Sequence, residues 1–407
     1  MTNRRKAVIV AAARTPIGSF CGAFKDIPAT QLGAIAIKGA LEKTSISPSD
    51  VDEVFMGCVL TAGLGQSPAR QAALSAGIPV SVPCTTVNKV CASGMKAVML
   101  AAMAVEIGDA DVVVAGGMEN MSRAPHYLPT GRTGQKYGNV TMMDGMLYDG
   151  LTDAYSMQHM GLCGEDCAEE HGITREEQDE FAIESYSRSA KAWGKGAFDK
   201  EIVPVEIKDR KGNVMIIAED EEYKNVKLNK IPLLRAAFKT DGTITAANAS
   251  TINDGASALV IMSEEKAVEL GIKPLAYITS YADAGQEPVK FPSTPALAAR
   301  KALSRVGLDV KDVDYWELNE AFSVVGIVNT RLLNIDKARE NVYGGGVSLG
   351  HPLGSSGARI LVTLLTVLER KDARYGCAAI CNGGGGAYCL NVETHNKHAS
   401  ASFPCFG

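Results

Sequence analysis

Short apolar runs alternate along this chain with longer stretches in which apolar and polar positions recur at helical spacing. The runs 6–13, 54–60 and 111–115 predict strands, and 30–43, 67–76 and 93–107 predict helices. Near Met118 the texture changes: as far as Ser250 the chain is richer in charge, Gly and Met and lacks the paired rhythm. An amphipathic helix is predicted there over 174–193, opened by Thr174 and Glu177 at the spacing of a capping box. After "NASTINDGASALVIMSE" the alternation resumes, with strands over 275–281, 313–318, 376–381 and 388–392 and helices over 295–306, 321–333 and 356–370. This is the pattern of an α/β chain. The segments "VVVAGGMEN" and "CAAICNGGGG" both run from a strand into glycines, which suggests duplicated halves whose strand ends face a common site.

Length and composition narrow the class. The 407 residues leave room for two or three domains of roughly 100 to 200 residues each. A formal charge of -5 argues against a broad basic surface for nucleic acid, while a small basic patch could still grip an anionic ligand. Ten cysteines without regular spacing, in a chain too large to need disulfide staples, predict reduced thiols in an intracellular compartment. "MTNRRKAVIVAAARTPIG" reads as a first strand rather than a secretory or mitochondrial leader. The longest apolar run, 97–105, falls short of the roughly 20 residues a membrane span needs.

Four segments carry candidate chemistry. Cys91 stands at the mouth of an almost wholly apolar helix, where the positive end of the dipole can lower a thiol pKa from about 8.5 toward neutrality. It can equally be a packing cysteine. In "YGGGVSLGHPLGSSGARI" glycines bracket His351 before a helix, so the imidazole is either a base that could take a thiol proton or a hydrogen-bonded surface histidine. In "CNGGGGAYCL" Cys381 ends a strand, and the following glycines offer either backbone N–H groups to an oxyanion or a tight turn. In "WELNEAF" Asn319 is either a helix cap or a water-positioning amide. Dinucleotide-loop, P-loop, H-E-x-x-H and G-x-S-x-G signatures are absent. His159, Cys163 and Cys167 are spaced four apart, but three residues along one helical stripe rarely converge on one tetrahedral ion.

Taken in order, "VNKVCASGMKA", "NEAF", "GGGVSLGHPLGSSGARI" and "CNGGGGA" resemble the thiolase family, and the resemblance covers essentially the whole chain. It implies an α/β thiolase fold of two similar layered αβα halves packed together, with an inserted loop domain. The first half would be 1–119 completed by 251–273, the CoA-binding loop domain 120–250, the second half 274–394 and a flexible tail 395–407. Cys91 would accept the acyl group, His351 activate it, and Cys381 serve as acid and base at the substrate α-carbon. Asn319 would hold a water that forms one oxyanion hole with His351, while the backbone N–H groups of Cys91 and Gly383 form the other. The implied activity joins two acetyl-CoA into acetoacetyl-CoA plus CoA, and reverses it, without a redox cofactor.

The same resemblance places His159, Met160, Tyr186, Asn225, Val226, Lys227, Lys230 and Ser250 at the CoA site. Asn225 stands where close relatives have Arg. The cluster Lys224, Lys227, Lys230, Arg235 and Lys239 could meet phosphates, although most of these lysines read as solvated surface. "AANASTINDGA" and "YADAGQEPVKFP" look most like the mitochondrial-type branch of the family, whose members bind potassium; the matching positions are Tyr186, Ala246, Ala247, Ala249 and Val347. Phe291-Pro292 matches the dipeptide associated with tolerance of a 2-methyl branch. A homo-oligomer, dimer or tetramer, is implied. The expected location is cytoplasmic, or the mitochondrial matrix once a leader is removed. Alternatives within reach are a longer-chain 3-ketoacyl-CoA thiolase and a CoA- or lipid-binding protein with dead chemistry.

Overall fold

The structure, a computed structural model, describes residues 4–208 and 211–394, so the expected tail at 395–407 lies outside the described residues. Two sheets form the frame. In the first, the strand order is Cys84–Val87, Glu53–Gly57, Val112–Asn120, Asn253–Ser263, Ala7–Arg14. In the second it is Tyr315–Leu318, Tyr375–Asn382, Gly386–Glu393, Ala276–Gly285. The sheets meet edge to edge through Val8 opposite Tyr277 and Ile9 opposite Ala276, an antiparallel pairing.

The two orders repeat one pattern of direction. Glu53–Gly57 is parallel to Val112–Asn120, which is antiparallel to Asn253–Ser263, and that strand is antiparallel to Ala7–Arg14. Tyr315–Leu318, Tyr375–Asn382, Gly386–Glu393 and Ala276–Gly285 follow the same sequence of parallel, antiparallel, antiparallel. Where the first half adds Cys84–Val87, the second has only a parallel bridge between Trp316 and Glu340.

Side-chain alternation builds the layers. Ile9, Val113, Leu259 and Ile261 face inward with Ala378, Ile380, Leu390 and Val392 of the other half, in one buried cluster with helices Ser93–Ile107 and Leu353–Lys371. Val8, Val112, Val114 and Val260 face the opposite way, onto helices Ala29–Leu41 and Pro68–Ser75. In the second half Cys377, Ala379 and Cys389 face helix Thr294–Ser304. Five layers result, αβαβα, with Ser93–Ile107 and Leu353–Lys371 sandwiched between the sheets. Each large aliphatic side chain sealed this way contributes about 1.5–3 kcal/mol relative to exposure. The apolar window beginning before that first helix, Val90–Ile107, is longer than the run read from the sequence and is apolar enough to span a membrane, but here it is a core helix.

Two strand ends and one unread strand bear on the site. The strand read over 54–60 ends at Gly57, because the next residues turn away to bond a buried carboxylate. The strand read over 111–115 runs on to Asn120 through Gly116 and Gly117, whose missing side chains admit neighbouring backbone. Asn253–Ser263 is buried at every position, so it shows none of the alternation that marks a half-exposed strand.

The stretch between Asn120 and Asn253 carries helices Met160–Glu170 and Arg175–Gly194. Thr174 and Glu177 form the expected capping box: each side chain accepts from the other residue's backbone N–H, at 3.2 and 3.0 Å. The segment is tied to the second half where the Ser323 N–H donates to the Asn248 carbonyl at 2.7 Å and the Ser250 N–H to the Ala321 carbonyl at 3.0 Å.

Candidate active site

The two central helices cross at their N-terminal ends in backbone contact. A Cβ on Gly94 would stand 2.9 Å from both the Ala358 nitrogen and the Gly354 oxygen, and one on Gly117 would stand 1.9 Å from that oxygen. Only glycine permits such an approach. Cys91 lies two residues before Ser93 and His351 two before Leu353, the first residues of these helices, so the crossing gathers both. Cys91 packs in the same apolar cluster as Leu353.

The turn that presents Cys91 is strained. Val90, a β-branched residue, has φ +50°, a conformation that costs about 1–3 kcal/mol. Ser93 closes the turn: its Oγ accepts from the Lys89 N–H at 2.7 Å and donates to the Val90 carbonyl at 2.6 Å. Cys91 is half-buried, with the Gly383 backbone N–H near enough to its sulfur to favour the thiolate. Burial nevertheless pushes the thiol up to about 12, against that N–H group. The helix end, which can lower a thiol pKa, does not by itself bring this one to neutrality. Loss of water outweighs the helix end, and ionisation needs a base that takes the proton.

His351 has the properties of that base. It is 4% exposed, which removes the surface reading, and burial, then the Arg359 guanidinium, hold it down at about 3, so the imidazole is neutral. Its Nε2 is buried without a hydrogen-bond partner. Asn319 sits beyond the end of strand Tyr315–Leu318, 1% exposed, with both side-chain atoms unpartnered. It caps no helix, since the next one begins at Ser323 after Phe322. Unpartnered buried amides are rare in folded proteins, and this one retains donor and acceptor for a ligand or water.

Cys381 is fully buried near the end of strand Tyr375–Asn382, and its thiol is pushed well up by burial and by the neighbouring Cys91 thiol. Gly384 and Gly385 turn the hairpin with φ +83° and +81°, and the Gly383 backbone N–H lies near the Cys91 sulfur.

One organising residue escaped the sequence reading. Glu119, fully buried, accepts from the N–H groups of Val59 and Leu60 at 3.0 Å each and of Gly354 at 2.8 Å. Its carboxylate thus clasps the loop after Glu53–Gly57 to the helix end beside His351. Burial pushes it up to about 7 against these three donors. The available signal was one acidic residue at the end of the apolar run "VVVAGGMEN".

Among the remaining residues singled out, Met160, Phe291 and Ala249 share a buried cluster with Cys381, and Pro292 is buried beside it. A cavity of about 360 Å³ opens between Val90, Met160, Gly383 and the loop carrying Tyr148 and Met157. His159 stacks on Phe238 at 4.5 Å, and its Nδ1 accepts from the Gly161 N–H, so it is a helix cap rather than a metal ligand. Tyr186, Ala247 and Val347 form another cluster against which Val226 packs; Ala246 is exposed and Ser250 half-buried. Asn225 donates to the Ser19 hydroxyl at 3.1 Å. Lys227 and Lys230 are exposed, whereas Lys224 pairs with Glu219 at 2.5 Å and Lys239 with Glu169 at 3.7 Å. Among the described residues, no three His, Cys, Asp or Glu side chains are grouped to hold a metal, and nine cysteines are free.

A thiol that meets a second thiol and the Gly383 backbone, with a buried neutral imidazole at the crossing of two pseudo-equivalent α/β halves, is the arrangement of a thiolase. Family models described as "Thiolase, N-terminal domain" and "Thiolase, C-terminal domain" match residues 7–265 and 272–394, and the chain belongs to the thiolase family. It is 58% identical to an acetyl-CoA acetyltransferase of Schizosaccharomyces pombe over 95% of this chain and 98% of the relative. It is 52% identical to the cytosolic acetyl-CoA acetyltransferase ERG10 of Gibberella zeae, covering 97% and 99%, and 52% identical to the mitochondrial acetyl-CoA acetyltransferase of Bos taurus, covering 95% and 91%. Among solved structures, the Acat5 thiolase of Ascaris suum in complex with coenzyme A superimposes with a TM-score of 0.92 at 46% identity, over 96% of this chain and all of that one.

Proposed function

We propose that this chain is an acetyl-CoA C-acetyltransferase, in which Cys91, His351, Asn319 and Cys381 carry the reaction. The observation that carries the reading is the meeting of Cys91, Gly383 and Cys381, with a buried His351 Nε2 and Asn319 amide that have no partners of their own among the described residues. His351 Nε2 takes and holds the Cys91 proton as the sulfur attacks the thioester of acetyl-CoA, and the departing CoA thiolate takes the Cys381 proton. Cys381, now a thiolate, removes the α-proton of a second acetyl-CoA. The resulting carbanion attacks the acetyl group on Cys91, the C–S bond breaks, acetoacetyl-CoA leaves, and the Cys91 thiolate recovers its proton from His351. Charge on the acetyl-enzyme oxygen falls to the Cys91 and Gly383 N–H groups, and enolate charge to His351 and a water held by Asn319. Thiolysis runs the same steps backward.

Short acyl groups are favoured because Met160 and Phe291 close the space around Cys381, which weighs against the longer-chain reading. Phe291-Pro292 supports 2-methylacetoacetyl-CoA as a second substrate. The segment 120–250 is the CoA side of the molecule, with Val226, Lys227 and Lys230 at the nucleotide end and His159, Met160 and Ser250 at the pantetheine end. Potassium would be held by Tyr186 and the carbonyls of Ala246, Ala247, Ala249 and Val347. The fit rests on Tyr186, Ala247 and Val347 sharing one cluster, with the Glu222 and Glu320 carboxylates close enough to help push the buried Tyr186 hydroxyl up. When bound, the ion supplies a fixed positive charge, and these residues then hold the 246–250 loop against helix Arg175–Gly194. The working form is a dimer or tetramer, in the cytoplasm or the mitochondrial matrix; relatives carry names from both compartments.

Weighing the intact protein after incubation with acetyl-CoA tests the reading. One acetyl adduct is expected, lost in Cys91→Ser; an adduct that persists in that variant, or none in the parent chain, overturns the assignment and favours a protein that only binds CoA.

A further inference from the structure

Away from the site, Lys43 occupies an unusual position. Although the residue as a whole is exposed, its Nζ reaches inward and donates to the backbone carbonyls of Ala12 at 2.8 Å and Lys200 at 2.5 Å. No carboxylate pairs with it among the described residues. Lys43 also lines a cavity of about 850 Å³, with Lys200, Lys273, Glu201 and Glu369 among its walls.

We propose that Lys43 is a modification site, an amine that takes an acetyl group directly from acetyl-CoA. A neutral amine has two N–H bonds and one lone pair. With both N–H groups committed to the Ala12 and Lys200 carbonyls, the lone pair is the one position on the nitrogen those bonds do not use. Losing the ammonium proton therefore sacrifices neither hydrogen bond. Burial, joined by the Arg14 guanidinium and opposed by Glu201, brings the amine down to about 8. An amine at that value is about half neutral near pH 8, whereas an ordinary lysine near 10.4 is well under about 1% neutral. In the transfer, the Nζ lone pair attacks the thioester carbonyl, a C–N bond forms, the C–S bond breaks, and CoA thiolate leaves with the amine proton. The amide product has one N–H, so one of the two carbonyls loses its donor. Acetylation would thereby loosen the loop whose Glu201 holds Arg14 at 2.6 Å.

The proposal rests on the acetyl-CoA reading for its donor, and one experiment separates the two. The full chain is incubated with acetyl-CoA at about pH 7, 8 and 9, one half is treated with hydroxylamine to strip thioesters, and peptides are quantified by mass spectrometry. Hydroxylamine-stable acetyl on Lys43 is expected to accumulate at least about tenfold faster than on the exposed Lys311 near pH 8, and its rate to level off near pH 9. A Lys43 rate no greater than that of Lys311, or labelling that disappears in Cys91→Ser, overturns it. The hydroxylamine-labile acetyl on Cys91 in the untreated half reports independently on the acetyltransferase reading.

Discussion

The Ser356 hydroxyl lies 2.5 Å from His351 Nδ1 and donates its own proton to the Pro352 carbonyl at 2.9 Å. A hydroxyl has one proton, so toward the ring it can only accept. Nδ1 therefore carries the imidazole hydrogen, and Nε2 presents the lone pair a base needs. Ser356→Ala releases that tautomer while leaving the ring in its pocket. The expected result is a fall in kcat of about tenfold, equivalent to about 1.4 kcal/mol, with little change in KM, and recovery in Ser356→Thr. Equal kcat in Ser356→Ala would remove the hydroxyl from the mechanism.

The backbone crossing at Gly94 leads to a second expectation. A Cβ there meets the Ala358 nitrogen and Gly354 oxygen at 2.9 Å, and neither is a flexible side chain that can swing away. Gly94→Ala must part the two helix ends by a fraction of an ångström and move Cys91 relative to His351. Misplacement on this scale costs up to about 100-fold in rate. Steady-state kinetics should show that loss falling mainly on kcat, while the melting temperature declines by only a few degrees.

Glu119→Gln replaces an acceptor of three N–H groups by an amide whose nitrogen cannot accept. One buried donor is left unpaired, at a cost of about 1–3 kcal/mol, and the loop at Val59 and Leu60 separates from Gly354. The pH dependence has a definite sign. The folded value of Glu119 is raised to about 7, so its contribution to stability is full below the unfolded value of about 4.3 and is lost as pH rises through 7. The stability deficit of the variant should therefore be greatest near pH 4 and narrow toward pH 8, by at most about 1.4 kcal/mol per pH unit. Denaturant melts across that range read the difference, and a deficit that widens with pH would contradict the assigned shift.

For potassium, CoA affinity and turnover are compared in potassium and sodium salts at matched ionic strength. A severalfold advantage in potassium that shrinks in Tyr186→Phe is expected. Identical values in the two salts would remove the ion from the proposal.

The sequence by itself determined the order of strands and helices, the repetition of two halves, and the family, because period-two and period-3.6 patterning and the four motifs are local features. Cys91, His351, Cys381 and Asn319 could be named without coordinates for the same reason. Tertiary structure alone decided their state. Cys91 is ordinary in its helix-end position, yet dehydration in the assembled site pushes its thiol up, and His351 is neutral because it is buried near Arg359. Glu119 gave almost no signal, since three of its four partners are backbone groups and the fourth, the Cys58 thiol, comes from the same distant loop. Strand Asn253–Ser263, buried on both faces, likewise lost the alternation by which strands are read. Solvation and long-range backbone contacts exist only once the two halves have packed, and these set the chemistry of the site.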